Sequence, residues 1–188
     1  MMRMTDRFIV TPFNGEKFIT TKKVGDKTLI INTSIENAKD VNRIGVVVSL
    51  PLNYEGNIQV GDQVVVQHNI FRTYFDGQGK TRESDSYIKE NLFQVLPEQI
   101  FLIFRGEETI SVDNFVFIEP IIEEKKWVGA TELEHVGIVK YSNSILEAQG
   151  VKTGDKIAFK TDSEYEFVIN DQRLYRMRTR NILAKLEA

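Results

Sequence analysis

The sequence predicts an all-β protein built from two tandem units, and three observations carry that expectation. Short apolar runs rich in Val, Ile and Phe recur along the chain, bounded by Gly, Pro, Asn and Asp. Before residue 105 no ten-residue stretch carries a convincing amphipathic helical period. The order and spacing of the turn residues then repeat once, as an internal duplication does.

Phe8-Ile9-Val10 opens the first unit as a strand, stopped by Pro12 and the Asn14-Gly15 turn pair. Ile44 to Leu50 is the next expected strand, with Gly45 at its start and Pro51 at its end. Ile58 to Val66 is expected as strand, Gly61-Asp62 turn and strand, with the β-branched run Val64-Val65-Val66 buried on both faces. Ile70 to Phe75 is expected as an aromatic-rich strand ahead of the hairpin signal Asp76-Gly77-Gln78-Gly79-Lys80. An exposed polar loop over 80–86, an alternating segment from Tyr87 to Val95, a short helical turn around Pro97-Glu98-Gln99 and a strand from Ile100 to Phe104 complete the unit.

The second half repeats this layout. Asn114-Phe115-Val116-Phe117-Ile118-Glu119-Pro120 answers Asp6 to Pro12, Val136-Gly137-Ile138-Val139 answers Ile44 to Val47, and Val151 to Phe159 answers Ile58 to Val66. Ile182-Leu183-Ala184 stands where Ile100-Phe101-Leu102 stands. Gly45 and Gly61 are 16 residues apart, and Gly137 and Gly154 are 17 apart. The expected domains are 1–106, with a long mobile loop over 16–43, and 107–188, with shorter loops.

The copies differ in two places. Pro12 to Gly45 spans 33 residues against 17 from Pro120 to Gly137, and Gly61 to Ile100 spans 39 against 28 from Gly154 to Ile182. A long loop without structure of its own is uncommon unless it has a function or is disordered. The first insertion contains Leu29-Ile30-Ile31, flanked by Gly25-Asp26 and Asn32-Thr33-Ser34. The triplet reads either as a short buried strand or as an apolar anchor carried to another protein.

Composition excludes several functions. The 188 residues are 41% hydrophobic and 27% charged, as in an ordinary globular protein, and the net charge of −3 argues against a dedicated nucleic-acid binder. With no cysteine there are no disulfides, thiolate metal sites or cysteine nucleophiles. No apolar run approaches the roughly 20 residues that span a bilayer, and the first residues lack a signal peptide's apolar core. The expectation is a cytoplasmic protein with no membrane and no nucleic-acid partner.

Candidate chemistry is sparse. His68 and His135 share no cluster at metal-ligand spacing, glycines occur singly, and Ser142 and Ser144 have no nucleophile-elbow context. Asp62 and Asp155 occupy strand-connecting turns, where Asp is favoured for local backbone hydrogen bonds. Arg173, Arg176, Arg178 and Arg180 form the one basic run, better read as a solvated strand face or a set of salt bridges than as a nucleic-acid site. The expectation is no catalytic residue, no metal and no cofactor, hence no enzyme. A ligand-binding β-barrel would need a cavity with converging ionisable groups.

Taken in order, Asp6-Arg7-Phe8-Ile9-Val10, Leu29-Ile30-Ile31, Gly45-Val46-Val47, Val60-Gly61-Asp62-Gln63-Val64-Val65 and the closing Asn181-Ile182-Leu183-Ala184 resemble the small co-chaperonin (chaperonin-10) family. The resemblance implies two tandem small co-chaperonin-like β-barrels, in a divergent form that suits a bacteriophage-encoded relative, acting in the host cytoplasm if viral. It implies a homo-oligomeric ring that caps the large ATP-dependent chaperonin and assists protein folding. Leu29, Ile30 and Ile31 are then the chaperonin-binding loop, and only the first copy docks, because the second has Trp127-Val128-Gly129 and no aliphatic triplet. The alternative is a structural or assembly protein, such as a virion component, that keeps the scaffold without the chaperonin cycle.

Overall fold

The computed structural model describes residues 2–19, 21–24, 27–30, 41–125, 129–170 and 172–187. The chain divides into two compact units, Met1–Glu108 and Thr109–Ala188. In chain order the strands of the first are β1 (Phe8–Pro12), β2 (Thr21–Val24), β3 (Lys27–Ile30), β4 (Ile44–Ser49), β5 (Gln63–Val66), β6 (Thr73–Phe75), β7 (Thr81–Glu83), β8 (Tyr87–Lys89), β9 (Leu92–Val95) and β10 (Ile100–Arg105). A short strand, β11 (Glu108–Ser111), spans the division. The second unit holds β12 (Phe115–Lys125), β13 (Gly129–Tyr141), the helix α1 (Ser144–Ala148), β14 (Lys156–Phe159), β15 (Tyr165–Ile169), β16 (Gln172–Arg178) and β17 (Ile182–Lys185).

The main sheet of the first unit runs β11-β10-β5-β4-β1-β9-β8, and that of the second runs β15-β16-β12-β13-β14-β17. Aside from β11, one order is the reverse listing of the other, so corresponding strands have corresponding neighbours. The agreement extends to individual residues. Val10 faces Val47 and Pro12 faces Gly45, just as Ile118 faces Val139 and Pro120 faces Gly137. Both ladders shift register at the same point, between Ile9 and Val10 and between Phe117 and Ile118. A shared β-bulge at a shared position is an inherited feature of a duplicated unit.

The turns agree too. Val47 donates its N–H to Asp62 O (2.9 Å) and Gly61 donates to Val47 O (2.8 Å). Val139 does the same to Asp155 O (2.9 Å), and Gly154 to Val139 O (2.8 Å). Gly61 and Gly154 have φ of +93° and +92°, in the left-handed region that glycine enters without strain. Gly45 and Gly137 are needed for a different reason. A Cβ at Gly45 would lie 3.0 Å from Phe71 and 3.2 Å from Thr11 O, and one at Gly137 would overlap the Ile118 side chain and lie 2.8 Å from Glu119 O.

The expected pair of β-barrels is not what the chain forms. Both main sheets are open: among the described residues no ladder joins β8 to β10 or β11, or β15 to β17. Closure requires end strands long and regular enough to meet at a fixed stagger. β8 has three residues and an irregular register against β9 between Tyr87 and Lys89. On β17, Leu183 is 67% exposed, and on β15, Val168 is 59% exposed, as edge strands of an open sheet allow.

Several local expectations also change. Phe8–Val10, expected only as an opening strand, is central, pairing β4 on one side and β9 on the other with all three residues buried. Ile58–Val60 is turn rather than strand, because the Asp62 carboxylate accepts the Gln59 N–H (2.7 Å) and holds that backbone out of a ladder. The extended aromatic segment begins only at Thr73, since Ile70 and Phe71 form a turn whose side chains enter the core. Residues 81–83, expected as loop, form β7 against β6. Val64, Val65 and Val66 are fully buried, as their β-branched run predicts.

Each unit fills its core differently. In the first, Phe71 meets Phe93 edge-on (5.0 Å) and Phe8 meets Tyr54 (4.9 Å). In the second, Leu146 of α1 enters a cluster with Val116, Ile118, Val139, Ile157, Phe159 and Met177. Asn143 caps that helix, accepting the Leu146 N–H (2.8 Å) and donating to Phe115 O (2.6 Å) and Thr179 Oγ1 (2.8 Å).

Candidate docking region

Among the described residues both insertions that distinguish the first unit contribute two-stranded ribbons outside its main sheet, β2–β3 and β6–β7. The long segment leaves the sheet after Pro12 through a 3-10 turn at Phe13–Gly15. Asn14 takes φ +57° there, a conformation Asn tolerates better than most residues. The two ends of the segment are then pinned together. Asn42 donates its N–H to Lys17 O (2.8 Å) and its Nδ2 to Glu16 O (2.8 Å), while Phe18 forms a β-bridge with Val41. The Asn42 side chain also accepts the Ile44 N–H (2.9 Å), so one buried amide closes the neck and starts β4.

Beyond the neck, Leu29 and Ile30 have strand backbone on β3, opposite Lys22 and Thr21. Ile31 lies outside the described residues, as do residues 32–40 that follow it. The second unit makes the same crossing within one strand pair, with β12 and β13 paired from Phe117–Tyr141 out to Lys125–Gly129 across a register shift between Pro120 and Ile122.

The β6–β7 hairpin is built on Asp76, whose Oδ1 accepts the Gln78 and Lys80 N–H groups (both 2.9 Å) and whose Oδ2 accepts Arg82 Nε (2.9 Å). The Lys80 N–H and the Arg82 guanidinium hold its carboxyl below the usual carboxylate range. The hairpin meets the neck through Glu83, whose Oε1 lies 2.6 Å from Lys17 Nζ and whose Oε2 accepts Thr73 Oγ1 (3.3 Å). The Lys17 ammonium also lies 5.5 Å from the Tyr87 ring centre and 5.6 Å from that of Phe93. Around these anchors Ile19, Tyr74, Phe75 and Tyr87 are exposed. Sequence reasoning found both insertions but not Lys17, Glu83 or Asn42. Lys17 and Glu83 are 66 positions apart, and nothing local links them.

The titratable candidates resolve into structural roles. The Asp62 side chain, 4% exposed, accepts Arg105 Nε (2.8 Å) and Nη2 (2.6 Å) besides the Gln59 N–H. Burial pushes its carboxyl up, but Arg105 and Gln59 together outweigh that and leave it below the ordinary value. Asp155 repeats the design more openly, with the Lys152 N–H (2.8 Å) and Lys185 Nζ (2.6 Å). Arg173 pairs with Glu166 and Glu132 (both 2.8 Å), and Tyr175 donates its hydroxyl to Glu132 (2.6 Å). Burial and then Glu132 push the Tyr175 phenol up to about 12. Arg176 lies 5.1 Å from the Tyr165 ring centre and 5.2 Å from that of Phe115, which carries Arg178 as well (4.8 Å). These side chains brace strands. Arg180 lies in the 3-10 turn Thr179–Asn181 and is exposed.

His135 sits in the irregular part of β13 with φ +58°, its ring edge-on to Phe159 at 6.0 Å, and His68 lies in the turn after β5. Among the described residues no group of three or more His, Asp or Glu side chains is placed to hold a metal. A cleft of about 380 Å³ beside the hairpin is lined by polar side chains, including Gln67, Arg72, Asp85 and Gln99. Its groups are largely engaged with one another, Gln99 Nε2 donating to Gln67 Oε1 (2.8 Å) and Ser84 Oγ to Ile70 O (2.5 Å). No set of converging ionisable groups marks it as a reaction centre.

No protein-family model matches the chain, and no curated protein is significantly similar to it. The short motifs that resemble the chaperonin-10 co-chaperonins are therefore corrected on two findings, the missing family match and the open sheets. Those motifs mark the duplicated turns and strands of an open-sheet scaffold, and membership of that family is withdrawn.

Proposed function

We propose that the chain is a non-enzymatic docking protein, in which a duplicated β scaffold presents the additional segments of its first unit to a larger protein assembly. One observation carries this reading. The two insertions absent from the second unit meet at one neck, through Lys17 and Glu83, and that neighbourhood exposes Ile19, Tyr74, Phe75 and Tyr87. Neither ribbon belongs to a main sheet, so the scaffold does not depend on either for its ladders. Burying each aliphatic side chain of Leu29-Ile30-Ile31 against a partner would contribute about 1.5–3 kcal/mol, less the cost of fixing its rotamer. In a homo-oligomer, several such weak contacts add up through high effective concentration.

Two partners divide this reading. One is the large ATP-dependent chaperonin, capped through Leu29, Ile30 and Ile31 in support of protein folding. The other is a structural assembly, such as a virion, in which the chain is a fixed component. A pull-down with the large chaperonin, with and without nucleotide, separates them. Nucleotide-dependent retention that Ile30→Asp abolishes, with the melting temperature unchanged, establishes capping. Absence of retention supports the structural role. An Ile30→Asp protein that loses cooperative unfolding would place the triplet in the core and overturn the docking reading.

A further inference from the structure

We propose that Lys17 and Glu83 form a latch that makes the neck of the 16–43 segment and the β6–β7 hairpin one mechanical element. The hairpin is a separate two-stranded sheet, and an isolated hairpin of three-residue strands is marginal in water. Its base is tied down by Ser84 Oγ, which donates to Ile70 O (2.5 Å). Glu83 supplies the link to the neck, accepting from Thr73 within the hairpin (3.3 Å) and from Lys17 in the neck (2.6 Å). Lys17 is held from both directions. Its carbonyl accepts the Asn42 N–H from the far end of the segment (2.8 Å), and its ammonium rests against Tyr87 and Phe93 of β8 and β9.

This arrangement differs from an ordinary surface ion pair. The side chains of Lys17 and Glu83 are 20% and 33% exposed, and two ring faces desolvate the ammonium further. The pair also joins three elements that share no ladder among the described residues: the neck, the hairpin and the β8–β9 edge. Among the described residues the second unit has no separate two-stranded sheet to match β2–β3 or β6–β7, so the latch accompanies the two insertions. If the first unit docks as proposed above, occupation of one ribbon stabilises the other by the same free energy in both directions. The latch itself does not rest on that reading.

Hydrogen exchange of the free full-length protein tests it, using Lys17→Met, Glu83→Gln and the double variant. Methionine keeps an apolar stem against Tyr87 and Phe93 while removing the charge. Each single variant is expected to accelerate exchange across Thr73–Phe75, Thr81–Glu83 and Asn42 by about tenfold, the scale of a half-desolvated ion pair with ring contacts. The double variant is expected to go no further than either single one, and the β5 and β9 amides keep their protection. Unchanged hairpin exchange in Lys17→Met overturns the latch, as does a double variant equal to the sum of the singles. Equal acceleration of β5 and β9 overturns it too, since the pair would then be a general stabiliser. Failure of the docking reading would leave all of these outcomes unchanged, because no partner is present.

Discussion

The two units share a strand order, a bulge, a turn pair and a close-packed glycine, yet they cross between their first two long strands in opposite ways. In the second, β12 and β13 run on past a register shift between Pro120 and Ile122 into a ribbon. In the first, β1 stops at Pro12, and a buried asparagine closes a neck from which a separate hairpin leaves. The pairing Pro12–Gly45 is kept as Pro120–Gly137, so everything up to that point belongs to the scaffold. Everything beyond it is free to vary. The contrast locates where a duplicated sheet can accept sixteen extra residues without changing one of its ladders.

The largest test of this comparison lies in the part that is not shared. Leu146 of α1 is buried in the second unit's core, whereas the matching stretch of the first carries Tyr54 against Phe8. Leu146→Ala is expected to cost about 2–5 kcal/mol in denaturant unfolding of the second unit. A smaller loss would mean that α1 is an ornament and that the units are more alike than their cores indicate.

The shared glycine gives a middle-sized effect. Gly137→Ala forces a Cβ into Ile118 and the Glu119 carbonyl and is expected to cost about 1–3 kcal/mol. Gly45→Ala meets the ring of Phe71 at 3.0 Å, a longer approach, and should cost less. Equal losses would show that the two crossings are packed alike, and paired thermal melts decide it.

The last effect concerns the turn aspartates, is no larger than that of the glycines at neutral pH, and shrinks as pH falls. Because the folded-state carboxyl of Asp62 is held below its unfolded value, its contribution is complete above the ordinary carboxylate range near pH 4. It is lost as pH falls through the lower folded value. Asp62→Asn should therefore flatten the acid limb of the stability curve and cost about 1–3 kcal/mol at neutral pH, where a buried acceptor of Arg105 and Gln59 is removed. Asp155→Asn acts in the same direction by less, since Lys185 and Asp155 are more exposed. Melts between pH 3 and 7 compare them.

The legible parts of the fold were those written in local chemistry. Gly61-Asp62 and Gly154-Asp155 announced their turns, Val64 to Val66 their burial, and Asp76 to Lys80 its hairpin, because each depends on residues within a few positions. Spacing between such markers also revealed the duplication and both insertions. The candidate site was legible only as length. Ile58–Val60 misled because its apolar spacing imitates a strand, whereas a side-chain acceptor three residues on competes for its backbone.

The sequence by itself thus determined an all-β chain, its two repeats, their turns and the place where the first departs from the second. Tertiary structure alone decided that the sheets stay open, because closure depends on the register and length of end strands such as β8, which no local pattern encodes. It alone placed Phe8–Val10 at the centre of a sheet, and it alone brought Lys17 to Glu83 across 66 positions. Such contacts arise from the path of the chain through space, and neither residue carries any mark of its partner.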